Sequence, residues 1–297
     1  MRRRIPYLGR VWETVDEWQL LERIARRVPK AGDDCAVVPW RTTNLLFTLD
    51  MLHRTTDFPT GTTPYTIGWR SVAVSLSDIA AMGGVPLAVL LGLSVPEFDP
   101  AFTDEVLSGA QDCCMAAGSE LAGGDLDSSE ELFLSSCALG ECARPVLRRG
   151  AQPGELVCIT GPLGATAQAL HLMDDGQAEA ANTLLRFAPR TSEGQRISKV
   201  ASSMIDISDG LAHSLHLLAE ASGVGFRVES ERIPWVPGLQ DPAFSYGEDF
   251  ELLYTVPERL HRPQLGTAIG RVTNSGVYLS GPDGVHPLPD RGYSHGR

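Results

Sequence analysis

The chain has two lysines in 297 residues, Lys30 and Lys199; its other basic residues are arginines. That scarcity excludes whole classes of phosphate chemistry. A P-loop needs its lysine in a GxxxxGK[ST] frame, and a protein-kinase fold needs one on its third strand. Lys30 stands in Pro-Lys-Ala-Gly-Asp-Asp and Lys199 in Ile-Ser-Lys-Val, so neither fits. Basic charge as a whole is short: 25 Lys+Arg face 37 Asp+Glu, a net charge of −12. Binding to bulk DNA or RNA rests on neutralising phosphates with basic surface, so no nucleic-acid partner is expected. An acidic chain is suited instead to gathering cations.

Other absences narrow the field further. Apolar runs such as Leu87 to Leu93 fall far short of the ~20 residues that span a bilayer. The basic start Met1-Arg2-Arg3-Arg4-Ile5-Pro6 leads into Trp12-Glu13-Thr14-Val15-Asp16-Glu17 rather than an apolar stretch. A cytoplasmic protein with neither secretory signal nor membrane partner is expected. The six cysteines form no CxxC pair and have no histidines at zinc-finger spacing, which predicts reduced, mostly buried thiols. The seven histidines contain no HExxH; His213 and His216, three apart, read as packing residues. No Gly-x-Ser-x-Gly elbow exists and no Ser or Cys has an evident base, so covalent nucleophilic catalysis has no support.

What is present describes an ordinary globular chain, 43% hydrophobic and 21% charged, whose length suggests about two domains. A capping-box spacing at Thr14 and Glu17 opens a helix with Leu21, Ile24, Ala25 and Val28 on one face, ended by Gly32-Asp33-Asp34. Strands over Cys35–Val38 and Leu45–Leu49, a helix over Thr66–Ala81, a strand over Leu87–Leu93, a helix over Ala101–Ala117 and a strand over Glu131–Leu139 follow. The turn-rich segment Arg144 to Gly154 predicts a boundary, dividing the chain into 1–143 and 144–297. The second part alternates again: strand Leu156–Thr160, the turn Gly161-Pro162-Leu163-Gly164 opening a helix, strand Met204–Ile207, helix Gly210–Ser222, strand Phe226–Glu229, and strands near 251–256, 267–272 and 277–279. Arg186 to Gln195, with Pro189, reads as a loop. The alternation predicts an α/β (α+β) fold.

Aspartates recur where an apolar segment stops: Asp33-Asp34, Asp50, Asp78, Asp125, and Asp206 with Asp209. Any one of them has a dull explanation, because Asp is a good cap and turn residue. Together they point to one ligand site, since carboxylates that close strands gather at the sheet's carboxyl edge. Converging carboxylates repel unless hard cations neutralise them, and magnesium, which takes carboxylate and phosphate oxygens, is the expected ion. In Asp206-Ile207-Ser208-Asp209-Gly210 the strand period sets Asp206 and Ser208 on one side and Ile207 in the core. A helix N-terminus follows, a natural anion site. Gly123-Gly124-Asp125 is a weaker pattern, also compatible with an ordinary turn, and Gly247-Glu248-Asp249-Phe250-Glu251 reads either as a solvated loop or as an acidic site.

Taken in order, Gly32-Asp-Asp-Cys-Ala-Val-Val, Thr48-Leu-Asp-Met-Leu, Ile67-Gly-Trp-Arg-Ser-Val-Ala-Val-Ser-Leu-Ser-Asp-Ile-Ala-Ala-Met-Gly-Gly84, Gly123-Gly-Asp125, Met204-Ile-Asp-Ile-Ser-Asp-Gly-Leu211 and Gly247-Glu-Asp-Phe-Glu-Leu-Leu-Tyr254 resemble the motif set of the thiamine-monophosphate kinase family. That family sits in the aminoimidazole ribonucleotide synthetase and selenophosphate synthetase superfamily, and the match runs from about residue 31 to Gly292-Tyr293-Ser294-His295. The resemblance implies an N-terminal mixed-sheet domain that binds ATP and Mg²⁺ and forms a homodimer, with a C-terminal α/β domain completing the site. It implies ATP-dependent phosphorylation of thiamine monophosphate to thiamine diphosphate by direct in-line transfer. Asp34, Thr48, Asp50, Asp78, Asp125, Asp206 and Asp209 would hold several Mg²⁺ ions. Gly124, Asp125, Arg148 and Ser208 would contact ATP, and Asp50, Asp125, Arg148 and Asp209 would act in catalysis. Glu248, or in its place Glu251, would face the thiamine end.

Three departures concern the acceptor side. Asp57-Phe58 stands where the family has His-Phe, Leu126-Asp127-Ser128 replaces two threonines after Gly-Gly-Asp, and the family's terminal aromatic near Asp290 is not obvious. Asp57 would then meet the positively charged thiazolium. Another ATP-using member of the superfamily, and a nucleotide-binding pseudoenzyme with an altered acceptor pocket, stay open as alternatives.

Overall fold

The computed structural model describes residues 17–28, 31–239, 244 and 246–293. Thr14 of the capping box and Ser294-His295 lie outside the described residues. The first part runs α1 (Glu17–Arg27), β1 (Ala36–Trp40), β2 (Thr43–His53), α2 (Arg54–Asp57), α3 (Pro64–Ala81), β3 (Val85–Val95), α4 (Pro100–Ala116), β4 (Leu121–Ser128) and β5 (Phe133–Cys142). Its strands form a five-stranded sheet in the order β1-β2-β5-β3-β4, antiparallel except for the parallel β3–β4 pair.

The second part runs β6 (Leu156–Ile159), α5 (Ala165–Asp174), α6 (Ala178–Leu185), α7 (Thr191–Ile197), β7 (Ser203–Asp206), α8 (Leu211–Ser222), β8 (Gly225–Glu229), β9 (Leu252–Val256), β10 (Thr267–Thr273), β11 (Val277–Gly281) and β12 (Gly284–Pro287). These strands make a seven-stranded sheet, β12-β11-β8-β10-β6-β9-β7, in which β8–β11 is the parallel pair. Among the described residues no helix is long and apolar enough to cross a membrane.

Helix α3 organises the molecule. Thr63 caps it, its hydroxyl accepting from Thr66 N at 3.3 Å, and Pro64 occupies the first turn, where a missing N–H costs nothing. It is buried along most of its length and crosses α4 at small residues. A methyl on Gly68 would stand 1.8 Å from the Val106 carbonyl oxygen, and one on Gly109 1.9 Å from that of Tyr65. One core fills the space between these helices and the inner face of the first sheet, with Leu46, Leu52, Val72, Leu76, Val89 and Leu134. A second core, with Val157, Ile205, Leu215, Phe226 and Leu253, belongs to the second sheet. Ala80 and Ala81, the last turn of α3, join Ile197, Met204, Leu252 and Tyr254 in a third cluster that seals the two parts together.

The outer face of the first sheet is apolar and open. Val38 and Trp40 of β1, Phe47, Leu49 and Met51 of β2, and Val85, Leu87 and Leu90 of β3 are all exposed, Leu49 at 66%. The predicted apolar face of α1 is open too, with Leu21, Ile24 and Val28 exposed.

Two segments depart from the expected pattern. Gly123-Gly124-Asp125 lies inside strand β4 rather than in a turn. Parallel pairing to β3 brings the backbones close, and a methyl on Gly124 would stand 1.8 Å from the Leu91 carbonyl oxygen. The segment read as a loop contains the start of α7, which buries Thr191, Gly194 and Ile197 against the end of α3; tertiary packing outweighs its polar composition.

Candidate active site

Asp34 follows the first turn-rich segment, Asp78 lies in the last turn of α3, and Asp206 ends β7. One carboxylate oxygen from each lies within 4.8 Å of the other two. Neighbouring hydroxyls fix Asp78, Asp206 and the nearby Asp50. Thr48 of β2 donates to Asp78 Oδ2, Ser77 donates to Asp206 at 2.5 Å, and Ser75 donates to Asp50 at 2.5 Å. Helix α3 thus supplies two serines and one carboxylate to the same place, because Ser75, Ser77 and Asp78 fall within one turn of it.

The charges are crowded. Burial pushes the carboxyls of Asp34, Asp50 and Asp78 above the usual range, and for Asp78 the neighbouring Asp50, Asp206 and Asp34 push further. Asp206 is pushed to about 7, by burial first and then by Asp34. One guanidinium answers them. Arg148 donates to Asp34 Oδ1 from Nε at 3.2 Å and Nη2 at 2.7 Å, while its backbone N donates to Asp33 at 2.8 Å. Burial lowers the Arg148 pKa, but the Asp34 charge outweighs it and the net direction is upward. Asp34 Oδ2 is buried with no hydrogen-bond partner among the described residues. An orphaned oxygen within a set of hard carboxylate donors fits a divalent cation such as Mg²⁺.

A cavity of about 440 Å³ opens beside this cluster, with Asp50 in its wall. Ser208, Asp209, Asp57 and Glu248 add polar groups, while Phe58, Val74, Leu185 and Phe250 supply apolar wall. The cap of α8 is Gly210, so Asp209 lies ahead of the helix. Asp57 accepts from His53 N at 2.8 Å and from Thr56 Oγ1 at 2.6 Å, which turns the short α2 segment toward the cavity.

The Gly247–Glu251 segment is no solvated loop. Asp249 and Glu251 are buried, at 7% and 5% exposed. Asp249 accepts from Gly164 N at 2.7 Å and Ala165 N at 3.1 Å, holding the start of α5. Glu251 accepts from Arg190 and from Thr160 Oγ1. Glu248 and Phe250 have φ of 63° and 51°, a left-handed conformation that non-glycine residues enter at a cost. This backbone sends Asp249 and Glu251 inward and leaves Glu248 at the cavity, so Glu248 rather than Glu251 is the acid at that wall.

Comparison with known proteins identifies the lineage. Residues 32–142 match the family model described as AIR synthase related protein, N-terminal domain, and residues 152–280 match its C-terminal counterpart. The thiamine-monophosphate kinase of Halobacterium salinarum is 43% identical over 296 residues, spanning 95% of this chain and 100% of that one. That of Methanospirillum hungatei is 39% identical over 295 residues, spanning 95% and 99%. The chain belongs to the thiamine-monophosphate kinase family. It is a kinase with the two-domain AIR synthase architecture. The solved structure of AaThiL complexed with AMPPCP and TMP superposes with a TM-score of 0.89 at 30% identity, covering 96% of this chain and 99% of that one.

In this family member two expected site residues stand apart from the cluster. Asp125 pairs in register with Gly92, Ser135 and Met51 across the sheet. That is three strand spacings, about 14 Å, from β2. By the alternation of side chains it shares the outer face with Met51, whereas Asp50 shares the inner face with Ser136, Leu91 and Gly124. Within one chain Asp125 therefore faces away from Asp34, Asp78 and Asp206. Gly124 lies on the inner face, where β3–β4 packing already accounts for it.

Tyr293 is a wall residue of the kinase's cavity that sequence reasoning missed. It is brought there by the histidines of α8: His216 Nε2 meets the Leu288 carbonyl at 2.8 Å, His213 Nδ1 meets Asp290 Oδ1 at 2.8 Å, and Tyr293 N donates to the Asp209 carbonyl at 3.2 Å. The Gly292-Tyr293 pair was the available signal. Arg190, opposite Glu251 and far from it in sequence, had none.

Proposed function

We propose that this kinase transfers the γ-phosphoryl group of ATP to the phosphate of thiamine monophosphate, giving thiamine diphosphate and ADP. One observation carries the reading: three aspartates from separate elements converge within 4.8 Å beside an acid-lined cavity whose wall includes Asp50. The relatives' names and a structural neighbour carrying AMPPCP and TMP support both substrates.

In this reading Asp34, Asp78 and Asp206, with Thr48, Asp50 and Asp209, hold several Mg²⁺ ions. When bound, Mg²⁺ neutralises the triphosphate and the acceptor phosphate so that two anions approach. Arg148 and Ser208 orient the phosphates, and the N-terminus of α8 adds its dipole. An acceptor phosphate monoester is largely ionised at neutral pH, so no strong general base is required, and in-line positioning is the chain's main contribution. Asp57 and Glu248 face the cationic ring of thiamine. For Gly124 and Asp125 the ATP and metal roles rest on the sequence motif alone.

Residues 1–143 would carry most metal ligands and the dimer contact, and residues 144–297 would complete the site. A homodimer through the outer face of the first sheet explains its exposed Leu49, Met51 and Leu90, each worth about 1.5–3 kcal/mol on burial. A second copy on that face would bring Asp125 to the junction of the two chains. A cytoplasmic location fits six free cysteines.

The test is direct: purified protein with ATP, Mg²⁺ and thiamine monophosphate should release ADP and thiamine diphosphate in equal amounts. ATP binding without product would favour a pseudoenzyme. Asp57→Asn should raise the KM for thiamine monophosphate; unchanged turnover and KM would remove Asp57 from the acceptor site.

A further inference from the structure

Arg70, on the second turn of α3, is fully buried at 0% exposure, and nothing in the phosphate-transfer reading uses it. A guanidinium sealed from water must meet opposite charge or acceptors. Its Nη1 donates to the Leu185 carbonyl at 3.0 Å, and its Nη2 lies 3.0 Å from Glu248 Oε1. Nε and Nη2 have no aligned hydrogen-bond acceptor among the described residues, so the meeting with Glu248 is charge against charge. Cζ stands 5.8 Å from the Phe187 ring centroid, and Phe187 stacks on Phe250 at 4.2 Å. The Phe187 ring, itself backed by Phe250, therefore lies over the guanidinium.

Glu248 is the opposite case. Its side chain is 34% exposed, and it opens into the cavity. Its backbone is pinned at both ends, with N donating to the Ser208 carbonyl and the carbonyl accepting from Thr166 Oγ1 at 2.8 Å. The pair is thus closed at the arginine and open at the carboxylate.

We propose that Arg70 is a positioning residue for acceptor recognition, holding the Glu248 carboxylate at the cavity wall so that it presents negative charge to the cationic ring of the acceptor. The proposal rests on thiamine monophosphate being that acceptor. Desolvation raises the Glu248 carboxyl above its usual range, Arg70 is the main group pulling it back, and Asp57 adds to the rise, so the net direction is upward. Arginine suits the place because its planar fork reaches the Leu185 carbonyl and the carboxylate together, which a lysine ammonium cannot reproduce. The contacts around it keep α3 in position: Asn182 of α6 accepts from Thr63 N at 2.9 Å and donates to the Gly61 carbonyl at 2.9 Å, and Trp69 Nε1 donates to the Phe187 carbonyl at 2.7 Å.

The test is steady-state kinetics on full-length wild type, Arg70→Met, Arg70→Lys, Glu248→Gln and the Arg70→Met/Glu248→Gln double variant, varying ATP and thiamine monophosphate separately. Arg70→Met should raise the KM for thiamine monophosphate about tenfold or more, with the KM for ATP within about twofold, and Arg70→Lys should recover part of the loss. The double variant should match Glu248→Gln alone to within about threefold, because Arg70 acts through that carboxylate. This last comparison also serves if Arg70→Met fails to fold, since the double variant removes both charges at once. An unchanged KM for thiamine monophosphate in Arg70→Met, equal rises in both KM values, or a double variant much worse than Glu248→Gln would overturn the proposal. Wild type that makes no thiamine diphosphate would instead remove the parent reading, and this proposal with it.

Discussion

Arg148 gives both its side-chain hydrogen bonds to Oδ1 of Asp34 and leaves Oδ2 of the same carboxylate buried without a partner among the described residues. The arginine and a cation would therefore take different oxygens of one aspartate. Arg148→Ala should lower kcat by about 10²–10³, and Arg148→Lys, which keeps charge but not the fork, by less. Rapid-quench measurement of ADP formation separates this loss from weaker ATP binding.

The crowded carboxylates set a pH dependence. Asp206 is raised from 3.8 to about 7 in the fold. The folded chain thus keeps a proton that the unfolded chain releases, and the associated stability is fully present below pH ~4 and lost as pH rises through ~7. Added Mg²⁺ should raise Tm more at pH 8 than at pH 5. Asp206→Asn should be more stable than wild type at pH 8 without metal and lose at least about 100-fold in activity. Calorimetry with and without Mg²⁺ checks both; a metal effect independent of pH would contradict the assignment.

Asp249 offers a control away from the metal side. Burial raises its carboxyl from 3.8 to about 7, despite two backbone N–H donors that lower it. By the same sign, its contribution is lost between pH ~4 and ~7. Asp249→Asn keeps an acceptor for Gly164 N and Ala165 N, so its Tm should exceed that of wild type at pH 8 and converge with it near pH 4.

The open sheet face predicts association. Wild type should sediment as a dimer at micromolar concentration, and Leu49→Glu, which places a charge at the centre of the patch, should shift it toward monomer. A wild-type monomer at all concentrations would refute the interface.

Much of this site was legible as sequence because Asp78 and Asp206 close regular elements and period alone sets Thr48 and Asp50 on one face, although β2 runs on past Asp50 to His53 instead of stopping there. The same alternation, applied to β4, would have put Asp125 on the other face, but Gly123-Gly124 reads locally as a turn and hid the strand. Arg70 sits within a motif yet carries no sign of its partner, because the Glu248 contact closes across the two parts of the chain. Tyr293 depends on two α8 histidines whose partners lie about 70 residues downstream. Such pairings are properties of the packed molecule, invisible to local pattern.

Along α3, Arg70, Val74, Ser77 and Asp78 fall at spacings of four, seven and eight residues, on one stripe of the helix. Arg70 lies behind Glu248 at the cavity wall, Val74 lines the cavity, Ser77 braces Asp206, and Asp78 stands in the carboxylate cluster. Eight residues rise about 12 Å. The helix is therefore a ruler that fixes the span between the Glu248 wall of the cavity and the carboxylate cluster, and a buried helix cannot stretch. One residue inserted between Arg70 and Asp78 would turn these marks by about 100° relative to one another, so the length of this segment is as much a part of the site as the side chains it carries.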